Sequence, residues 1–326
     1  MPAPSSSLAT LRPDLAASLE KFDLAMDREG FIGSQVFPVL DVARSGGNFG
    51  IIPLEQLLST RNTARAPGAA YSRSGFTFTP ATYNTSENGA EEPVDDNDQQ
   101  NYRDYFDAEL IATQRAYDAV LRNQEIRVSD MVFNATTFTG SSLTTAVTNE
   151  WDDATNATPI TDVEAAVRKV WENSGIWPNT LIINRHVFRN LRNCDSIIER
   201  INSAGAGNPS KPSDITVAML QACFDLPRIL VCGSAKNTAA EGQAASIGKL
   251  WSDEYAMVCR TATTNDMREP CIGRTFHWSQ DGSTIGGTVE TYRDETRRGD
   301  VVRVRHQVGE KILYTQMGHL LSNITT

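Results

Sequence analysis

The four histidines are the residues best suited to acid–base or nucleophilic chemistry, because imidazole titrates near neutral pH. His186 stands at the start of a predicted helix, His306 ends a predicted strand, and His277 and His319 flank apolar segments. None stands in a G-x-S-x-G elbow, and the sequence has no P-loop, dinucleotide-binding glycine fingerprint or H-E-x-x-H motif. We therefore predict structural or surface roles for the histidines, and no catalytic residue, cofactor or enzyme activity.

The run Asp95-Asp96-Asn97-Asp98 is the strongest candidate for a metal site, because clustered hard oxygen ligands suit calcium. It lacks the glycine and the distal glutamate of an EF-hand loop, so a solvated acidic segment is predicted instead. The five cysteines are odd in number and show no C-x-x-C spacing, which indicates neither a zinc site nor a disulfide framework. Buried thiols are the expected state, and no metal is predicted.

The overall charge limits the possible partners. The sequence holds 40 acidic and 30 basic residues, which gives a formal net charge of −10. A protein that grips DNA by neutralising phosphates needs a basic face, so sequence-specific DNA binding is not predicted. No apolar run approaches the roughly 18 residues that a membrane span requires, and residues 1–19 do not resemble a secretory signal.

Two extended segments precede the first long helix. Residues 1–43 include one short predicted helix, at 18–27, and then apolar residues broken by Gly33 and Pro38, which indicates an arm that lies on another surface. Residues 44–101 are rich in Gly, Pro, Ser, Thr and Asn, and the run 75–79 alternates apolar with polar residues as a two-stranded ribbon would. A segment of this length is usually functional or disordered.

Charge is segregated along residues 44–101. Arginines come first and acids follow: Arg61, Arg65 and Arg73, then Glu87, Glu91, Glu92, Asp95, Asp96 and Asp98. One interpretation is a solvated, flexible loop. The other is a ribbon that lies across a neighbouring subunit, where opposite charges set the register and the choice of partner.

Residues 104–133 contain no Gly or Pro and predict one long amphipathic helix. Its apolar stripe steps by four and seven residues: Phe106, Leu110, Tyr117, Leu121, Val128 and Val132. At 1.5 Å per residue the helix would be roughly 40 Å long, well beyond the usual three turns. A coiled-coil dimer and a spine against which a sheet packs both fit, and the stripe is short for a coiled coil.

The residues that follow predict an α/β unit and then a β-rich region. Thr161 and Glu164 have capping-box spacing at the start of a helix that ends near Gly175. The other expected elements are strand 181–183, helix 186–201, helix 214–224, strand 228–231, and strands at 247–259, 272–278, 284–292, 300–306 and within 313–324. This order predicts a small sheet with helices, followed by further strands.

Several local motifs resemble those of the major capsid proteins of tailed phages. They are Phe37-Pro38-Val39, Arg65-Ala66-Pro67-Gly68, residues 177–181 leading into 186–191, and Arg228-Ile229-Leu230-Val231 followed by residues 235–242 and then Leu250-Trp251. Together with the order of arm, charged loop, long helix, α/β unit and β-rich return, the resemblance spans most of the chain. It implies the Hong Kong 97-type phage capsid fold, of the α+β class, which encapsulins share.

The resemblance implies five parts of the chain. They are an N-terminal arm at 1–43, an extended β-ribbon loop (E-loop) at 44–101, a peripheral domain with the spine helix at 102–160, an α/β axial domain at 161–288, and C-terminal strands of the peripheral domain at 289–326. Arm and E-loop would reach over neighbouring subunits, and the axial domain would meet itself around symmetry axes. The candidate contact residues are Arg61, Arg65, Arg73, Glu91, Glu92, Asp95 and Asp96.

The implied function is self-assembly into the icosahedral head shell that encloses the double-stranded DNA of a tailed phage. Hexamers and pentamers of this chain would form the shell, with a separate scaffolding protein, a portal and a decoration protein as partners, and with no membrane. The chain would be made in the host bacterial cytoplasm and reside in the virion. No lysine lies between Lys21 and Lys169, so an isopeptide bond from an E-loop lysine cannot form and a non-covalent shell is expected.

Two other functions stay open on the sequence. An encapsulin-like nanocompartment would have the same fold, with enzymes as cargo. An α/β enzyme with a long lid loop would need a convergent polar cluster in a pocket, and the sequence does not indicate one.

Overall fold

The computed structural model describes residues 10–11, 30–51, 53, 56, 58–75, 77–102, 107–203, 214–240, 242–244 and 246–326. Their α-helices are α1 Gly33–Val36, α2 Asp96–Tyr102, α3 Ala108–Val132, α4 Pro159–Ser174, α5 Arg185–Leu191, α6 Asp195–Ser203 and α7 Val217–Phe224. Their strands are β1 Thr10–Leu11, β2 Val39–Asp41, β3 Gly46–Ile51, β4 Thr79–Asn84, β5 Ser86–Asp95, β6 Thr144–Ala146, β7 Thr180–Asn184, β8 Arg228–Cys232, β9 Ala235–Asn237, β10 Ile247–Lys249, β11 Tyr255–Cys259, β12 Gly273–His277, β13 Thr288–Asp294, β14 Gly299–Ile312 and β15 Gly318–Ser322. The predicted helix at 18–27 and Phe106 of the predicted stripe lie outside the described residues.

The larger sheet is organised around the 14-residue strand β14. One edge of β14 pairs antiparallel with β13 and then with β12, and its other edge pairs antiparallel with β5. β1 lies beyond β13, and β2 pairs parallel with β12, which makes a six-stranded sheet. Because side chains alternate along a strand, Val302 and Val304 are buried on one face while Arg303 and Arg305 lie on the other. The predicted alternation in this strand is confirmed.

The long helix α3 covers the apolar face of the larger sheet and is about 38 Å long. It begins after Asp107, whose carboxylate accepts two of the first backbone N–H groups of the helix. Tyr117 and Val120 pack in one core with Val302 and Val304 of β14. The predicted long helix is confirmed, and it is a spine against which a sheet packs.

The extended segment after the arm forms a ribbon only in part. β3 and β4 pair antiparallel and leave residues 52–78 as their connection. Of the strand predicted at 75–79, Gly75, Thr77 and Phe78 lie outside any strand, so the prediction is wrong there, and Thr79 begins β4. β5 belongs to the larger sheet, because all ten of its residues are in register with β14. Within the predicted E-loop range 44–101, residues 86–95 thus satisfy their backbone groups in the larger sheet.

The second sheet has five strands, in the order β6-β15-β11-β7-β8. Helix α4 packs on β11 and β15, α6 and α7 pack against α4, and their apolar side chains share one core with Leu181 and Val258. β15, which lies in the predicted C-terminal range 289–326, belongs to this second sheet. β12 lies within the range predicted as the axial domain, residues 161–288, but it pairs with β14 in the larger sheet. The chain therefore passes between the two sheets several times.

Helix α4 begins at Pro159, two residues before the predicted capping box. Proline suits the first turn because its φ is already helical and its missing N–H needs no partner. Thr161 is thus inside the helix, and the predicted Thr161–Glu164 capping box is wrong. The predicted end is confirmed, since Gly175 has a φ of 71° and its N–H donates to the carbonyl of Trp171.

The single helix predicted at 186–201 is two helices, α5 and α6. The chain turns at 192–194, where the N–H groups of Asn193 and Cys194 donate to carbonyls three residues earlier. Cys194 is fully buried at this turn and belongs to the core under the second sheet. Burial of the turn therefore overrides the helical pattern of the sequence.

Residues 30–41 of the predicted arm are built into the core of their own chain. Ile32, Val36 and Phe37 are buried with the C-terminal half of α3, and β2 adds a strand to the larger sheet. Glu125 of α3 accepts the backbone N–H groups of Ile32 and Gly33 at 2.8 and 2.7 Å. This part of the arm is fixed in place by the spine helix.

Candidate subunit interface

Residues 58–75, which we call the cationic loop, form the central part of the connection between β3 and β4. Every residue of the loop is exposed, and the loop holds three arginines and no acidic residue. Leu58 and Tyr71 are 61% and 70% exposed, although both are large apolar side chains. An exposed segment with cationic and apolar side chains and no core of its own is typical of a contact surface.

Arg65 is held inside the cationic loop. Its Nε donates to the carbonyl of Ala69 at 2.5 Å, and its guanidinium carbon lies 4.6 Å from the ring centroid of Tyr71, a cation–π distance. Arg61 and Arg73 make no ion pair with any residue that the structure describes. These two guanidinium groups are therefore free to contact another molecule.

The four acidic candidates have partners within the chain instead. The pairs are Glu91 with Arg303 at 2.6 Å, Glu92 with Arg115 at 3.4 Å, Asp96 with Arg293 at 2.5 and 2.6 Å, and Asp95 with the N–H of Asn97 at 2.8 Å. The hydrogen bond from Arg293 lowers the pKa of Asp96. The structure does not bring these acids together with Arg61, Arg65 or Arg73, and their role between subunits stays a prediction.

The sequence analysis did not predict the arginine partners of these acids, although the spacing of charges along β14 and β5 indicates one of them. Arg303 and Arg305 repeat every second residue along β14, and Glu87, Gly89 and Glu91 repeat with the same period along β5. Two strands that both alternate charged and small or apolar residues can place their charges on one face. Only the register, with Glu91 opposite Arg303, decides which charges meet.

The face of the larger sheet that points away from α3 carries a groove of about 840 Å³. We call it the charged groove, and its lining residues are Glu87, Gly89, Glu91, Trp278, Asp281, Glu290, Arg303, Arg305 and Gln307. A cross-strand row runs through it, because Arg303 is opposite Glu91 on one side and Glu290 on the other. Such rows of opposite charge stabilise neighbouring strands.

Arg305 is the second cation of the charged groove. Its guanidinium binds Glu290 at 2.9 Å and Asp281 at 3.0 Å. The hydrogen bond with Glu290 raises the pKa of Arg305. Partial burial opposes ionisation of Asp281, but hydrogen bonds from Ser283 and the charge of Arg305 together lower the pKa of its carboxyl. Arg305 and Asp281 are therefore both charged at neutral pH.

The histidines and cysteines form no catalytic arrangement in the described part of the chain. The histidine contacts are His186 with Asp253 at 2.9 Å, His277 with Asp41 at 2.7 Å, His306 with the carbonyl of Ile285 at 3.2 Å, and His319 with Thr145 and the carbonyl of Ser142, each at 3.0 Å. Burial raises the pKa of Cys194 and Cys232 to about 12, so both remain thiols at neutral pH. Neither thiol is an activated nucleophile.

In the run Asp95-Asp96-Asn97-Asp98, the first residue ends β5 and the other three begin helix α2. Two of its carboxylates, those of Asp95 and Asp96, already bind partners within the chain. Nowhere in the described ranges do three or more His, Cys, Asp or Glu side chains form a group that could hold a metal ion. The helices of the same ranges include none with the length and apolar character needed to cross a membrane.

Two curated relatives match nine-tenths of the chain. The major capsid protein of Pseudomonas phage JBD67 is 23% identical over 293 residues, which cover 90% of this chain and 91% of that protein. The major capsid protein of Burkholderia phage BcepMu is 24% identical over 306 residues, with the same coverage of 90% and 91%. No family model matches the sequence. The resemblance to phage major capsid proteins that the local motifs predicted is confirmed.

Two solved structures show that the fold of this chain is also similar to that of phage proteins. A phage-related protein from Bordetella bronchiseptica RB50 has a TM-score of 0.68 at 19% identity, over 97% of this chain and 98% of that one. The mature capsid of bacteriophage PhiM1 has a TM-score of 0.54 at 13% identity, over 89% and 86%. The chain has the Hong Kong 97-type capsid fold, and the predicted α+β class is confirmed.

Proposed function

We propose that this chain is the major capsid protein of a tailed bacteriophage, and that many copies assemble into the icosahedral head shell around its double-stranded DNA. The cationic loop is the observation that carries this function. Residues 58–75 lie outside both sheets of the capsid fold, are exposed, and have no acidic ion-pair partner among the described residues. The two curated relatives are both named major capsid protein, which supports the same function.

The reach of the ribbon fits contacts between copies. Residues 52–78 connect β3 and β4, so each side of the connection extends up to about 40 Å at roughly 3.3 Å per residue. That distance is comparable to the length of the spine helix α3. A segment of this kind can lie on a neighbouring subunit, and many weak contacts repeated by symmetry sum to a stable closed shell.

Each part of the fold has a place in such a shell. The larger sheet with α3 forms the peripheral domain, and the second sheet with its helices forms the axial domain around the axes of hexamers and pentamers. The ribbon with the cationic loop forms the E-loop. The net charge of −10 suits a container from which DNA must move freely, because an acidic wall does not hold phosphates.

Assembly is expected to need further phage proteins. A separate scaffolding protein, a portal and a decoration protein are the proposed partners, and the chain is made in the host bacterial cytoplasm before it enters the virion. Since no lysine lies between Lys21 and Lys169, the cationic loop cannot supply an amine for an isopeptide bond. The shell is therefore held by non-covalent contacts, and no catalytic role is proposed.

Electron microscopy of the purified protein tests this function. Closed icosahedral particles with hexamers and pentamers are the expected result, either alone or with the scaffolding protein. Monomers or small rings under all assembly conditions would overturn it. Particles that form in cells and contain an enzyme cargo in place of DNA would favour an encapsulin-like nanocompartment over a phage head.

A further inference from the structure

Helix α5 carries two arginines on its outer side and no acidic residue. Val187 and Leu191 are buried in the core under the second sheet, while Arg185 and Arg189 are exposed one turn apart. Neither arginine forms an ion pair with a residue that the structure describes. Like charges at this spacing destabilise a helix, because the two side chains are neighbours on its surface. The two uncompensated guanidinium groups therefore favour an anionic partner outside the chain.

The start of α5 is fixed at one edge of the second sheet. Asn184 is 5% exposed; its side-chain oxygen accepts the N–H of His186 at 2.7 Å, and its amide donates to the carbonyl of Trp251 at 2.6 Å. Strands β7 and β8 pair parallel, so both end at this edge. The first turn of α5, which follows β7, and strand β9, which follows β8, therefore lie at the same edge of the sheet.

The hairpin of β9 and β10 adds two lysines at this edge. Lys236 and Lys249 line a groove of about 440 Å³ together with Asp130 and Asp253. Asp253 binds both Lys249 and the imidazole of His186, the latter at 2.9 Å, so one carboxylate joins the hairpin to α5. Lys236 makes no ion pair with a described residue. The charges of the hairpin and of α5 thus form one continuous surface.

We call this surface the basic face, and it consists of Arg185, Arg189, Lys236 and Lys249. Its four cations outnumber the two carboxylates of the groove, although the whole chain has a formal net charge of −10. A local excess of positive charge on an acidic protein attracts polyanions to that place alone. Guanidinium and ammonium groups on an exposed surface are the usual partners of phosphate oxygens in nucleic acids.

Building on the proposed shell function, we propose that the basic face lines the inside of the shell and contacts the phosphate backbone of the enclosed double-stranded DNA. Arg185 and Arg189 bind phosphate oxygens through their planar guanidinium groups, and the two lysines add point charges. Phosphate contacts carry no sequence information, so any packaged DNA fits. A few such contacts on each copy are weak and are screened by salt, so the DNA still moves past the acidic remainder of the wall.

Salt-dependent DNA binding tests the basic face. Dissociated subunits of the wild type, of R185Q/R189Q and of R168Q/R297Q are titrated onto a double-stranded DNA fragment at several salt concentrations. Arg168 on α4 and Arg297 in the β13–β14 turn have side chains that are 66% and 68% exposed and lie outside the basic face, so this double variant is the matched control. Thermal unfolding shows that each variant is folded.

The slope of log K against log salt concentration is the decisive quantity. Each lost phosphate contact reduces the steepness of this slope by about 0.9, so R185Q/R189Q should lose about 1.8 and the control should match the wild type. Equal slopes for R185Q/R189Q and the wild type would overturn the contact with DNA. Polyglutamate that displaces labelled DNA from the wild type as well as unlabelled DNA of equal charge would overturn it too, because the partner is then an acidic protein segment.

A labelling experiment tests the position of the basic face in the shell. R189C particles are treated with a small maleimide and with a maleimide on a large polyethylene glycol, and the wild type gives the background of its five cysteines. The small reagent should label intact R189C particles, while the large one should label only dissociated subunits. Labelling of intact particles by the large reagent places the face outside, and protection from both reagents places it between subunits. Either result overturns the contact with DNA.

The same experiments separate the two proposals. Wild-type protein that forms no particles in electron microscopy overturns the shell function. The slopes measured on dissociated subunits decide about the basic face whether or not particles form.

Discussion

Trp251 donates its indole N–H to Oε1 of Glu125 at 2.7 Å, in the buried centre of the molecule. The same carboxylate accepts the backbone N–H groups of Ile32 and Gly33, so one side chain joins the arm, the spine helix and the loop before β11. Glu125 is 4% exposed and makes no ion pair with a described residue. Burial raises the pKa of its carboxyl, against the effect of these three hydrogen bonds.

Replacing Glu125 is expected to lower the free energy of unfolding strongly. Glu125→Ala leaves three buried N–H donors without an acceptor, at a cost of about 3–5 kcal/mol. Glu125→Gln costs about 1–2 kcal/mol, because its amide oxygen still accepts while its NH₂ group faces a donor. Urea denaturation measures both. Asp130→Asn, an exposed change on the same helix, is the control and should stay within about 0.5 kcal/mol of wild type.

Glu269 gives the protein an acid-sensitive loop. Its carboxylate accepts hydrogen bonds from the backbone N–H and the hydroxyl of both Thr263 and Thr264, at 2.7 to 3.0 Å. Partial burial disfavours the charge, but these hydrogen bonds lower the pKa of Glu269 from 4.5 to about 2. Because the folded pKa is the lower one, the unfolded chain binds the proton first as the pH falls.

The stabilising contribution of Glu269 is therefore present above about pH 4.5 and is lost as the pH falls towards about 2. Glu269→Gln should be less stable than wild type at pH 6, and the difference should shrink over this window in urea titrations. Glu172→Gln, on the exposed surface of α4, is the control. If the stability difference between Glu269→Gln and wild type stays constant from pH 6 to about pH 2, the lowered pKa of Glu269 is contradicted.

Gly309 allows β14 to pass close to the turn between β4 and β5. A Cβ at this position would overlap with the backbone carbonyl of Asn84. Gly309→Ala is expected to cost about 1–3 kcal/mol, because backbone atoms cannot move aside as a flexible side chain can. Gly75→Ala is the matched control, since open space surrounds that position. Equal thermal stability of the two variants would show that the backbone at Gly309 has room for a Cβ beside the carbonyl of Asn84.

Arg127 of the spine helix binds Glu310 of β14 through two hydrogen bonds, at 2.8 and 3.0 Å. The Glu310 side chain is only 4% exposed. Arg127→Met leaves that carboxylate buried and unpaired, at an expected cost of about 3–5 kcal/mol. The double variant R127M/E310M should recover at least half of the loss, because it removes the buried charge. A double-mutant cycle by urea denaturation measures this coupling, and purely additive losses would contradict it.

Local features of the sequence predicted the local elements well. The uninterrupted run up to Phe133 predicted the spine helix, and Gly175 predicted a helix end with positive φ. Both depend on neighbours within one or two helical turns, so a short window of sequence is sufficient. The capping box at Thr161 failed for the opposite reason, because Pro159 begins the helix earlier and sequence spacing alone does not decide between two starts.

The sequence alone did not predict which residues pair across long distances in the chain. Glu91 and Arg303 are 212 positions apart, and their contact depends on which of several registers β5 adopts on β14. A shift of one residue would turn every side chain of β5 to the other face. Segregated charge along residues 44–101 suggested a solvated loop or a ribbon on a neighbouring subunit. In the folded chain Glu91 instead binds Arg303 of β14, and Asp96 binds Arg293 of β13.

The sequence alone determined the order of the parts, the acidic net charge, the lysine-free loop and a resemblance that indicated the fold. These depend on composition and on short-range periodicity, which any stretch of chain shows by itself. Tertiary structure alone decided that β15 joins the second sheet, that Glu125 binds the arm, and that a charged groove opens opposite the spine helix. Each of these places residues far apart in the chain within a few ångströms, and burial and strand register select such contacts over all alternatives.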